Sequence, residues 1–108
     1  MPLGSTISIQ EKNGKVKTIF CQHDGDLIRR ILVKHYSNES LVRKLIELGD
    51  VHFLDNFVET TCAYVRDMDE SHSQRVFRIY PNLQEMLSKE RQIYNHVFVV
   101  RHGEWKQV

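Results

Sequence analysis

Cys21, His23 and Asp24 are the first residues of the chain whose types and spacing suggest chemistry. Residues i and i+2 of a strand share a face, and an imidazole beside a thiol favours the nucleophilic thiolate. No third group to orient the base and no oxyanion motif accompanies them, so a strand cysteine followed by a turn is expected rather than a catalytic pair. Six histidines, His23, His35, His52, His72, His96 and His102, raise the question of a metal. No HxH, HExxH or paired CxxC spacing gathers them, and scattered histidines with no metal and no cofactor are expected. Asp67, Asp69 and Glu70 resemble the start of a calcium loop, but the glycine and the later bidentate glutamate are missing. A solvated acidic loop is the plainer reading.

Recognition has better candidates than catalysis, because polar loops on a rigid scaffold often carry binding. One is the segment holding Gln22, His23, Asp24 and Asp26. The other is the acidic stretch with Asp67, Asp69 and Glu70, flanked by Arg66 and Arg75, which set positive charge at its two ends. Arg29, Arg30, Lys34, Arg43 and Lys44 would contact nucleic-acid phosphates if their exposed faces aligned. Fifteen Lys and Arg against fourteen Asp and Glu leave a net charge of only +1, so an ordinary amphipathic solvent face is expected there. Tyr80, Tyr94, Phe98 and Trp105 are of the type that anchors interfaces, and most are expected in the core.

These residues must be positioned by elements that the pattern partly reveals. Residues 6–12 and 15–21 are β-rich runs around Asn13-Gly14, a pair suited to the positive φ angles of a type I′ hairpin turn. Leu27, Ile28, Ile31 and Leu32 then fall at helical spacing and predict a helix over 26–36. Ser37 or Asn38 can cap a second helix with the stripe Leu41, Val42, Leu45, Ile46 and Leu48, stopped by Gly49. Strands are expected over 60–66 and 75–80, with the polar stretch 67–74 between them as the most mobile loop. Pro81-Asn82 begins a short helix, and a last hairpin spans 96–100 and 104–108 around His102-Gly103.

The fold class that follows is α+β: an antiparallel sheet of about six strands in the order ββααββαββ, a helical pair and one short helix packed on one face. At 108 residues one domain over 6–108 is expected, the opening Met1-Pro2-Leu3-Gly4-Ser5 resembling the remnant of a cleavable tag. Composition is ordinarily globular, with no long apolar run and no signal-peptide pattern, so a cytoplasmic setting is expected. Cys21 and Cys62 lie in β-type apolar sequence and are expected as two buried thiols.

Several of these segments together resemble a family of small proteins encoded by tailed bacteriophages and prophages. Members open with a hairpin ending in a pattern like I-Y-C-H-W-D-G-Y, where this chain has Ile19-Phe20-Cys21-Gln22-His23-Asp24-Gly25-Asp26. A pattern like I-L-L-x-H-Y is matched at Ile31-Leu32-Val33-Lys34-His35-Tyr36, and L-I-x-L-G-D at Leu45-Ile46-Glu47-Leu48-Gly49-Asp50. Ala63-Tyr64-Val65-Arg66-Asp67 and Gly103-Glu104-Trp105 are similar to A-Y-x-R-D and a terminal N-G-x-W. Gln22-His23 and Asp26 replace aromatic positions of the first pattern, which turns an aromatic loop into a polar one and implies a different ligand if that loop binds.

The resemblance implies phage origin and brings no particular chemistry. Joined to the lack of a catalytic constellation, it leads to the expectation of a non-enzymatic accessory protein acting in the host cytoplasm. Such a protein would bind, and modulate or inhibit, a host or defence-system protein through loop and edge-strand surfaces. The alternatives are a nucleic-acid-binding regulator and a small-ligand or nucleotide binder. A homodimer through an open sheet edge also fits the pattern.

Overall fold

The computed structural model describes residues 4–22, 25–68, 76–91, 96–101 and 104–107. Strands β1 (Ser5–Gln10) and β2 (Val16–Cys21), rich in β-branched residues, pair antiparallel from Ser5↔Cys21 to Gln10↔Val16. Their connection differs from the two-residue type I′ turn expected of Asn13-Gly14. Glu11 N–H donates to Lys15 O at 2.8 Å across three intervening residues, and Gly14 N–H returns to Glu11 O at 3.0 Å. Gly14, with φ +89°, supplies the left-handed residue that closes such a loop. Asn13 contributes through its side chain, whose Oδ1 accepts from Lys15 N–H at 3.0 Å.

The helical pair forms as expected, α1 over Gly25–His35 and α2 over Glu39–Glu47. Asn38 Oδ1 caps α2 by accepting from Ser40 N–H at 2.8 Å, and Gly49 follows its last turn at φ +80°.

Beyond α2 the chain departs from the expected order. A short strand, β3 (Val51–Phe53), comes first. The strand expected over 60–66 shrinks to β4 (Cys62–Ala63) and gives way to helix α3 (Tyr64–Met68). Thr60 and Thr61 are the reason: their hydroxyls donate to Phe57 O at 3.2 and 2.9 Å, so these β-branched residues serve a turn. Asp67 Oδ2 accepts from Ala63 N–H at 2.8 Å and fixes the entry into α3. Asp67 thus belongs to a helix rather than to the start of a mobile loop, and residues 69–74 of that stretch lie outside the described residues.

The strand expected over 75–80 is confined to β5 (Arg78–Tyr80). Helix α4 (Leu83–Glu90) follows, capped by Asn82, and then β6 (His96–Arg101) and β7 (Glu104–Gln107). The order among the described residues is therefore ββααββαβαββ.

The sheet is mixed, not antiparallel throughout. Its path runs β4-β3-β2-β1-β6-β7, with β5 also pairing with β2. β1 and β6 are parallel over Ser5↔His96 to Ile9↔Val100, and β2 and β3 are parallel at Cys21↔Val51. The two terminal hairpins are real, but they join through strands that run the same way.

Helices also cover both faces rather than one. Ile7, Ile9, Ile19, Phe98 and Val100 point toward Ile28 and Leu32 of α1 and Leu45 and Ile46 of α2. On the opposite face Val16, Val97 and Val99 pack with Met86, Leu83 and Leu87 of α4. Ser8 and Thr18, fully buried on that second face, bond each other at 2.7 Å.

The outer edge of β2 is shared, with β5 opposite Val16–Thr18 and β3 opposite Cys21. Between the two short strands, Phe20 N–H donates to Asp50 Oδ1 at 2.8 Å, a side chain standing where a strand carbonyl would be. Arg78 joins the parts: its Nε donates to Glu90 Oε1 at 2.9 Å and its Nη1 lies 3.5 Å from Asp50 Oδ1. Tyr80 O–H also donates to Glu90 Oε1, at 2.8 Å, and burial together with that carboxylate pushes the phenol pKa up.

Gly14 allows a clean test of the hairpin, because a Cβ there would meet nothing within 4 Å and only its φ opposes substitution. Gly14→Ala is expected to lower stability by about 1 kcal/mol, and Gly14→Asn by less, in urea denaturation.

Candidate functional site

Strand β3 and helix α3 converge on the end of β2, where the first recognition segment begins. Gln22 is exposed and tied to β3 by its N–H, which donates to Val51 O at 3.3 Å. Its side-chain Oε1 accepts from Tyr64 O–H at 2.5 Å and lies 2.8 Å from His52 Nδ1. An amide oxygen only accepts, so Nδ1 carries the ring proton in this arrangement. The His52 and Tyr64 rings meet edge to face with centroids 5.6 Å apart.

Of the rest of that segment, Asp26 stands in the first turn of α1, while His23 and Asp24 lie outside the described residues. Cys21 is fully buried in the core, so its thiol has no route to a substrate. Cys62 is half-buried, a departure from the two buried thiols expected. Among the described residues, no three His, Cys, Asp or Glu side chains come together to hold a metal ion.

The second candidate segment does something other than display charge. Arg66 Nε donates to Asp67 Oδ1 at 2.9 Å and its Nη2 to Asp67 Oδ2 at 2.8 Å. The same guanidinium reaches back over the connection between β3 and β4, its Nη1 donating to Val58 O at 3.1 Å and its Nη2 to Thr61 O. The guanidinium holds the Asp67 carboxyl below the usual carboxylate range, helped by the Ala63 N–H. Asp69, Glu70 and Arg75 lie outside the described residues.

Residues 54–61 are thereby a braced loop. Thr61, buried, accepts from Asp55 N–H at 3.0 Å through its Oγ1, and its own N–H donates to Phe57 O at 3.0 Å. From α1, Tyr36 O–H donates to Asp55 O at 3.3 Å. At the apex of this pinned backbone Phe57 is 60% exposed, and its ring touches His35 edge-on with centroids 6.0 Å apart. Phe53, at the end of β3, is also exposed. Phe57 was not among the sequence candidates. The signal for it is an aromatic inside the polar run Asp55-Asn56-Phe57-Val58-Glu59-Thr60-Thr61, where no periodicity assigns it to a core.

The cations of the helical pair divide into two groups. Arg43 forms a two-pronged ion pair with Glu11, at 2.9 Å for Nη2, with Glu39 3.9 Å away. It lines a hollow of about 470 Å³ at the tip of the first hairpin, where Glu11 and Glu39 stand among Lys12, Arg43 and Arg101. Arg29 instead lines a hollow beside Trp105, Lys106 and Gln107 of β7, and a second hollow lined, among the described residues, by Arg29, Arg30, Val33 and Lys34 adjoins it. Of the aromatics, Phe98 is buried, and Trp105 is half-buried with its Nε1–H donating to Tyr36 O at 2.8 Å. Tyr80 is half-buried against α4, and Tyr94 lies outside the described residues.

Comparison of the chain with protein-family models, curated proteins and solved structures finds no match. Among the described residues, no helix is long and apolar enough to cross a membrane.

The Arg66–Asp67 brace has a pH signature. Asp67 binds a proton more weakly in the folded chain than in the unfolded one, so its contribution is complete above the ordinary value of 3.8 and is lost as pH falls through the depressed folded value. Asp67→Asn is expected to lower the melting temperature by a few degrees at neutral pH. The gap between the two proteins should close as thermal scans are taken below pH 3.8.

Proposed function

We propose that this is a phage-encoded accessory protein that works in the host cytoplasm by binding, and modulating or inhibiting, a host or defence-system protein, without catalysis. The observation that carries the binding reading is the braced loop with Phe57 at its apex. A large aromatic left in water forgoes roughly 1.5–3 kcal/mol of burial. Pinning its backbone with buried and charge-assisted hydrogen bonds removes the ordering cost that a partner would otherwise meet. A rigid, projecting aromatic is the usual centre of a protein interface.

Of the first recognition segment, Gln22 remains as a polar contact, held in place by Tyr64 and His52. Arg66 and Asp67 act through the loop they hold. The sheet edges are poorer contacts: β4 has two residues, and β7 carries the exposed charges Glu104 and Lys106, which discourage strand addition and a dimer built on it. The phage origin rests on the motif resemblance alone.

The test is affinity capture from host lysate with nuclease present, comparing the wild-type chain with Phe57→Ala. One stoichiometric protein partner is expected, bound at least about tenfold more weakly by the variant at unchanged melting temperature. Equal capture by both would move the interface off this loop. Recovery of no protein at all would overturn the function.

A further inference from the structure

We propose that the hollow beyond the carboxyl ends of β1 and β6 binds a sugar phosphate, a function separate from the Phe57 loop. These two strands run parallel side by side, with Ile9 opposite Val100, so Gln10 and Arg101 end them next to each other. From there the chain leaves in opposite directions, β1 turning back to β2 on one side and β6 to β7 on the other. Connections that diverge from neighbouring parallel strands leave a crevice between them, the place where open sheets with parallel strands commonly take ligands. Here that crevice is the hollow of about 470 Å³, within the roughly 300–1,000 Å³ that small-molecule sites occupy. It lies beyond the strand ends rather than on either face of the sheet, and residues of alternating direction, Gln10 and Glu11, both line it.

The chemistry of the ligand follows from which groups there are already engaged. The Glu11 carboxylate is occupied by Arg43, and the Glu11 and Gly14 N–H groups donate to Lys15 O and Glu11 O. Asn13 Oδ1 accepts from Lys15 N–H. Lys12 Nζ, the Arg101 guanidinium, the Asn13 side-chain NH2 and the backbone N–H groups of Lys12 and Asn13 are bonded to no described residue. Among the described lining residues, the side-chain acceptors left for a ligand are the Gln10 amide oxygen and the Glu39 carboxylate, whose contact with Arg43 is a loose 3.9 Å. This excess of donors, brought from the hairpin loop and from β6 to one concavity, selects an oxyanion. Two unpaired cations match the charge of a phosphate group, about −1.5 to −2 at neutral pH, and a guanidinium can hold its oxygens with two parallel bonds.

The hollow is larger than one phosphate group, and what fills the rest is polar. Most small-molecule sites are lined largely by apolar side chains, but none lines this one among the described residues, so neither a stacked base nor an acyl chain fits. Glu39 and Gln10 instead offer acceptors to hydroxyl groups. Glu39 also sets negative charge opposite the cations, which disfavours a second phosphate and with it a polyanionic strand. A sugar monophosphate satisfies both ends, its phosphate on Lys12 and Arg101 and its hydroxyls on Glu39 and Gln10.

The experiment is calorimetric titration of the whole chain with ribose 5-phosphate at about 150 mM salt, where exposed charges more than about 8 Å apart are screened. Saturable binding is expected with a Kd below about 1 mM, with inorganic phosphate at least about tenfold weaker and ribose showing none. Lys12→Gln and Arg101→Gln should each weaken binding about tenfold or more, the worth of one charge-assisted hydrogen bond. Both residues are exposed, so melting temperatures should not change. Arg29→Gln, an exposed cation elsewhere, and Phe57→Ala should bind the sugar phosphate as the wild type does, which keeps this proposal separable from the protein-binding one. No saturable binding at millimolar ligand, or wild-type affinity in both site variants, would overturn it. So would inorganic phosphate binding as tightly as the ester, because the hollow would then hold an ion only.

Discussion

Strand β1 is hydrogen-bonded along its length on both sides, antiparallel to β2 and parallel to β6, and is buried on both faces. A strand so placed favours apolar or paired side chains in both directions, and the buried Thr6 Oγ1, which has no hydrogen-bond partner among the described residues, is its exception. Ile7 and Ile9 face α1 and α2, while Ser8 faces the other way and is reconciled with burial only by the hydroxyl of Thr18. The parallel pairing joins residues 5–9 to residues 96–100, so the chain between must cross back over the sheet before β6 can lie beside β1.

What the sequence made legible is what local chemistry decides. Asn13-Gly14 marked a hairpin, Asn38 and Asn82 marked helix starts, and Gly49 marked a stop, because each acts on its immediate neighbours. The turn type was misread because Asn13-Gly14 serves a longer loop about as well, and the choice is settled by the register of β1 on β2. Short elements escaped for a different reason: three residues of β3 and five of α3 are too few to show a period. Thr60 and Thr61 have strand propensity, and their hydroxyls spend it on a turn. Parallel pairing of β1 with β6 depends on residues some ninety positions apart, and no local signal encodes it.

The candidate site was legible to a similar depth. Gln22, Arg66 and Asp67 were singled out as polar residues at element ends, and all three engage in specific bonds. Their partners were hidden, so two residues expected to face a ligand turn out to face their own chain. Phe57 shows the converse case, an apolar residue whose importance comes from having no core to enter. Likewise, five cations close in sequence read as one solvent face, but Glu11, far away in the chain, claims Arg43 and leaves the α1 group apart.

The divided outer edge of β2 sets how the molecule comes apart. β5 and β3 each hold only a few residues of that edge, and the gap between them is bridged by the carboxylate of Asp50 rather than by backbone. Opening at this seam breaks few bonds, whereas separating β1 from β2 or β6 breaks a full ladder on a buried strand. The backbone pairing that holds β3 and β4 to the sheet is therefore expected to open before the centre does, while the Phe57 loop is kept together by its own hydrogen bonds. Amide exchange would register this as two tiers of protection, and a partner gripping the loop would raise the lower tier toward the upper.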